Sequence, residues 1–160
     1  MSSDIDLALA CKQGNLEHFD ELYTRHLKGI YAFVYYRVME RGTAEDLTQN
    51  VGDRVFFELD SSTLSGEAQQ TLDRQATWLK QYNSVNVTVE GHCDERGTRE
   101  YNLALGERRA ANTKKYLVGA GIPASRISTI SYGKERPAVI GSDDSSWDQN
   151  RRAVTVLTNQ

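Results

Sequence analysis

Apolar positions follow two different rhythms along the chain, and the change falls near residue 50. Before it, Leu16, Phe19, Leu22, Tyr23, Leu27, Ile30, Val34 and Val38 recur mainly at steps of three and four. That spacing predicts one long amphipathic helix with a wide apolar stripe, opened by Asn15 after Gly14. The "RGT" at 41–43 interrupts it. Thr43 then caps a short helix beginning "AEDLTQ", whose Glu45 and Asp46 suit the positive end of a helix. Residues 4–50 read as helical throughout.

After residue 50, short apolar runs take turns with helical spacing. "RVFFEL" (54–59) predicts a strand, and Ser65 or Ser62 starts a helix to about Tyr82 with Ala68, Leu72, Ala76 and Leu79 on one face. "NVTVEGH" (86–92) alternates as a half-buried strand does. Thr98 caps a helix to about Val118, closed by Gly119 and Gly121. "RISTISYG" (126–133) and "RRAVTVL" (151–157) predict two more strands, with 134–150 a polar loop holding Trp147. This order predicts an α+β fold, a two-layer sandwich (βαβαββ) of two helices on one sheet, preceded by the all-helical segment.

Composition narrows the function classes. Hydrophobic residues make up 39% and charged residues 26%, as in a globular chain. Residues 1–50 hold five Lys/Arg against eight Asp/Glu, and residues 51–160 hold fourteen of each. Neither part has the basic excess of a nucleic-acid binder, so no DNA binding is expected. No apolar run is long enough to span a membrane. Cys11 and Cys93 do not form a metal-ligand pair by spacing. The start, "MSSDIDLALACKQG", carries two aspartates where an export signal needs basic and then apolar residues.

Candidate chemistry concentrates in "GHCDERGTREYNLALGERRAA" (91–111). On the helix from Thr98, Leu103, Gly106, Ala110, Thr113 and Leu117 form the stripe expected to face the sheet. Asn102, Leu105 and Arg109 form a second stripe beside it, which puts Arg109 at the edge of the buried face. Asp94 lies just past a strand, at the mouth of the same helix. An acid and an arginine so placed suit a zwitterionic ligand, one taking an ammonium and the other a carboxylate. The plain alternative is that Asp94 and Arg109 pair with each other, or with Glu95, Arg96 and Arg108. A metal site or a nucleophile pair at His92 and Cys93 is disfavoured, because adjacent strand residues point to opposite faces. No phosphate loop, serine elbow or paired-carboxylate site appears, so neither an enzyme nor a cofactor is expected.

The stretches "VFFELDSSTL", "VTVEGHCDERGTREYNLALGERRAANTKKYL", "ISTISYGKERPAVIG" and "NRRAVTVL" resemble the peptidoglycan-associated lipoprotein (Pal) family, whose globular part is an OmpA-like domain. The resemblance runs from Val51 to Leu157. It implies non-covalent binding of the peptidoglycan peptide stem through its diaminopimelate side chain. Asp94 would meet the ammonium and Arg109 the carboxylate, with Asn102 organising the site and Leu105 packing behind it. The backbone around Phe57, Glu58 and Asp60, and near Arg96 to Thr98, would line the pocket. It further implies TolB as a partner in the Tol–Pal system, which ties outer membrane to cell wall. Cys93 stands where such proteins commonly have alanine, a change small enough to leave binding intact.

Residues 4–50 resemble region 2 of extracytoplasmic-function sigma factors, through "FDELY", "IYAFVYYRV" and "AEDLTQ". That resemblance implies a contact with RNA polymerase. The match stops at Gln49, before a DNA-reading helix. The two resemblances imply a chimera with domains 1–50 and 51–160, joined near "LTQNVGDRVFF". The Pal-like part implies the periplasmic face of the outer membrane. A chain without an export signal is expected in the cytoplasm as expressed.

Overall fold

The computed structural model describes residues 45–158. The helix expected over 16–38, the Asn15 and Thr43 caps, Cys11 and the sigma-type stretch before Glu45 lie outside the described residues. The compact unit described here starts at Leu47, inside the stretch expected to hold the junction. Its first turn, Leu47–Gly52, is a wide π turn with Leu47 buried in the core. The carbonyls of Val51 and Gly52 accept from Arg74 and Gln75 at 3.3 and 2.8 Å.

Four strands and three α-helices follow in order: β1 (Arg54–Phe56), α1 (Gly66–Gln81), β2 (Val87–His92), α2 (Arg99–Gly119), β3 (Ile127–Gly133), α3 (Asp144–Asn150) and β4 (Arg152–Leu157), with a 3-10 turn at Ala124–Arg126 leading into β3. The sheet order is β1–β4–β2–β3, with β4 antiparallel to β1 and β2, and β2 parallel to β3. β2 is therefore bonded along both edges, and its Val87 and Val89 are fully buried. Leu72, Ala76 and Leu79 of α1 pack on these valines with Ala110 and Leu117 of α2, Ile127 of β3 and Ala153 of β4.

Local sequence explains both long helices. Ser65 Oγ accepts from the Ala68 amide at 3.1 Å, and Thr98 Oγ1 accepts from the Tyr101 amide at 3.1 Å. Each satisfies a donor that a helix start leaves without a partner. α2 approaches the sheet closely because two glycines meet. A Cβ on Gly91 would lie 1.7 Å from the Gly106 carbonyl oxygen, so neither position has room for a side chain.

Three expectations need correction. β1 ends at Phe56 rather than residue 59. The chain turns there, and Asp60 adopts a positive φ of 53°. The stretch 134–150 is not all loop, since α3 forms with Asp143 Oδ1 accepting from the Ser146 amide at 2.8 Å. It was hidden because its seven residues, DSSWDQN, carry no apolar stripe. On α2, Leu103 is only half-buried, whereas Arg109 is completely buried rather than at the edge. The segment 57–62 crosses the flank of α2 and covers it there, its Ser61 and Ser62 carbonyls accepting from Arg109 and Asn112.

Candidate functional site

The chain leaves β2 at His92 and divides its side chains between two sides. His92 shares the Glu90 side of the sheet, 3.1 Å from Glu90 Oε1 and stacked on Tyr132. Cys93 turns the other way and donates its thiol to the Asn102 carbonyl of α2 at 3.3 Å. Burial pushes the Cys93 thiol up from its ordinary value. The two residues do not converge on one point. Among the described residues, no group of three His, Cys, Asp or Glu side chains could hold a metal ion.

Asp94 follows and is only 4% exposed. Its Oδ1 accepts from the Arg96 amide and Nε at 3.0 and 3.2 Å. Its Oδ2 accepts from Arg96 Nη2 at 2.8 Å and from Arg151 Nη1 at 3.2 Å. Burial opposes ionisation of this carboxyl, but hydrogen bonds from Arg96 and Arg151 outweigh it and hold Asp94 below the usual carboxylate range. The loop carrying Asp94 is pinned from α2 and from the end of β3. Asn102 Nδ2 donates to the Arg96 carbonyl at 2.8 Å, and Lys134 Nζ to the Gly97 carbonyl at 2.7 Å.

Arg109 does not pair with Asp94. Its Nε donates to the Ser61 carbonyl at 2.8 Å, Nη1 to His92 at 2.9 Å and Nη2 to Glu58 at 3.1 Å. Its guanidinium lies over the Phe57 ring, 5.2 Å from the centroid. Burial pushes it below its ordinary value. Three of its five N–H groups are engaged by these carbonyls.

Between them opens a cleft of about 390 Å³. Asp94, Arg109, Asn102, Leu105, Asp60 and Arg96 line it. Phe57, Glu58 and Thr98 do not: Phe57 lies under Arg109, Glu58 offers its backbone, and Thr98 caps α2. Arg151 is a lining residue that sequence reasoning missed. Its Nε donates to the Phe57 carbonyl at 2.8 Å, and its Nη2 bonds Asp148. The signal was the pair Arg151–Arg152 ahead of an apolar strand. Alternation sends one arginine to each side of the sheet.

Tyr101 and Leu59 also line the cleft, and Tyr101 reaches Asp60 Oδ1 across it at 3.3 Å. A buried carboxylate and a buried guanidinium on one small cleft can take the two ends of a zwitterion. No described helix is long and apolar enough to cross a membrane.

Comparison with known proteins bears on this arrangement. Residues 56–151 match the model of the OmpA family. The chain is 61% identical over 116 residues to the peptidoglycan-associated lipoprotein of Rhizobium meliloti, spanning 72% of this chain and 66% of that protein. It is 60% identical over 116 residues to the one of Brucella melitensis, spanning 72% of this chain and 69% of that protein. The match thus spans about two thirds of the length of these relatives. The crystal structure of the peptidoglycan-associated lipoprotein from Burkholderia pseudomallei superposes with a TM-score of 0.64 at 39% identity, covering 66% of this chain and 90% of that one. By its four-stranded sheet, its two long helices and the 56–151 match, this chain belongs to the OmpA family.

Proposed function

We propose that the compact unit binds the peptide stem of peptidoglycan non-covalently, through the diaminopimelate side chain. One observation carries this reading: Asp94 and Arg109, both buried and both charged, line the same cleft without pairing with each other. Asp94 offers an anion to the ligand ammonium, and the Arg109 guanidinium a cation to its carboxylate. The relatives named peptidoglycan-associated lipoproteins support the ligand class. The role is binding, without a reaction.

The test is calorimetric titration with a diaminopimelate-containing muropeptide. Asp94→Asn and Arg109→Lys should each weaken binding at least about 30-fold, because the first removes the anion of a desolvated charge contact and the second the planar fork that holds a carboxylate with two donors. Arg109→Lys is preferred to Ala because three carbonyls depend on this side chain. A folded parent that takes up no muropeptide sinks the reading.

The same reading extends to the Tol–Pal system at the periplasmic face of the outer membrane, with TolB as partner. Muropeptide and TolB should then compete for the chain. The resemblance of residues 4–50 to sigma region 2 supports a separate role, an RNA polymerase contact in a chimeric chain. Capture of polymerase by the chain is the measurement that distinguishes it.

A further inference from the structure

Both oxygens of Asp94 are already taken, and the two guanidinium groups that take them are unequal. Arg151 has a side chain only 9% exposed, and it is tied to the Phe57 carbonyl and to Asp148 as well. Arg96 has a side chain 37% exposed. Beyond Asp94, its guanidinium rests on the face of Trp147, 4.0 Å from the ring centroid. Trp147 is itself fixed by donating Nε1 to Glu95 Oε1 at 3.1 Å. Arg151 is thus a permanent counterion, locked from three directions. Arg96 is held by the carboxylate on one side and by an aromatic face on the other.

We propose that Arg96 is an internal substitute for the ligand cation: it fills the Asp94 seat in the cleft and must give way when a ligand ammonium arrives. This rests on the reading of the cleft as the diaminopimelate seat. The exchange is of like for like, one N⁺–H···O⁻ contact for another at the same carboxylate. Arg96 leaves toward water, so the step costs about as much as breaking a partly exposed ion pair. A ligand with a neutral group at that end has nothing to offer Asp94 in return, and Arg96 stays in place. Arg96 therefore sets the affinity of the site by competing for it.

The competing role and a merely positioning role differ in sign. Removing a competitor tightens binding, and removing a support weakens it. Arg96→Met keeps an unbranched side chain of similar reach and deletes the charge, and Arg96→Gln provides a second, polar variant. Each is titrated with the muropeptide after its thermal melt shows a folded domain. Tightening of about fivefold is expected, the scale of a partly exposed ion pair. The Arg96 Nε–H resonance should move on adding muropeptide and stay put with a muropeptide acetylated on the diaminopimelate amine. Equal or weaker binding by both variants, with the parent binding, overturns it and leaves the cleft reading intact. If neither parent nor variants bind, the cleft reading falls and this proposal with it.

Discussion

Arg109 joins the end of β2 to the 58–61 turn before it meets any ligand, because its three hydrogen bonds run to Glu58, Ser61 and His92. That role was not legible. A carbonyl acceptor has no letter in the sequence, and the spacing of α2 alone left Arg109 at a helix edge. Asp94 was legible as an acid at the mouth of α2, but its counterion Arg151 was not, since 57 positions separate them. Asp94 also gives the site a pH dependence. Its folded-state pKa lies below its unfolded value of about 3.9. The stabilisation is therefore complete above about pH 4 and is lost as pH falls through the folded value. Urea denaturation at a series of acidic pH values should show Asp94→Asn losing less stability on acidification than the parent. An identical acid limb in both would count against a paired carboxylate.

At the scale of elements, α2 carries Asn102, Leu105 and Arg109 into the cleft together, and the Gly91–Gly106 contact sets how close it comes. Gly91→Ala should destabilise the domain by about 1–3 kcal/mol or more, because strand and helix must separate. Muropeptide affinity should fall with it. Gly66, the first residue of α1, has open space where a Cβ would go. Gly66→Ala should be neutral or stabilise by up to about 1 kcal/mol. Thermal denaturation of the two variants side by side checks this contrast. The long elements were legible because their caps and apolar faces are local. Ser65, Thr98 and the alternation of Val87 and Val89 suffice. α3 was not, because it is held by polar contacts. Asn150 binds the amides of Ala138 and Val139 at 2.8 and 3.0 Å, a pattern without periodicity.

At the scale of the molecule, residues 51–160 carry equal numbers of acidic and basic side chains, fourteen of each. Long-range attraction therefore contributes little, and capture depends on short-range contacts in a shielded cleft. Retention on cell-wall sacculi should change less than tenfold between about 0.1 and 1 M salt, over which the screening length shrinks from about 10 to 3 Å. A steep loss would mean adsorption by charge rather than seating in the cleft. The position of that cleft has a mechanical consequence. Asp94 hangs from the end of β2, the strand bonded to β4 along one edge and to β3 along the other. Tension on a captured ligand, drawn along β2, strains both ladders at once in shear instead of peeling one open bond by bond. Arg151 diverts part of that load into the chain at Phe57, and Arg109 diverts part into the 58–61 turn. The grip is thus rooted in the most heavily braced strand of the sheet, as a mooring ring is set in the keel rather than the rail.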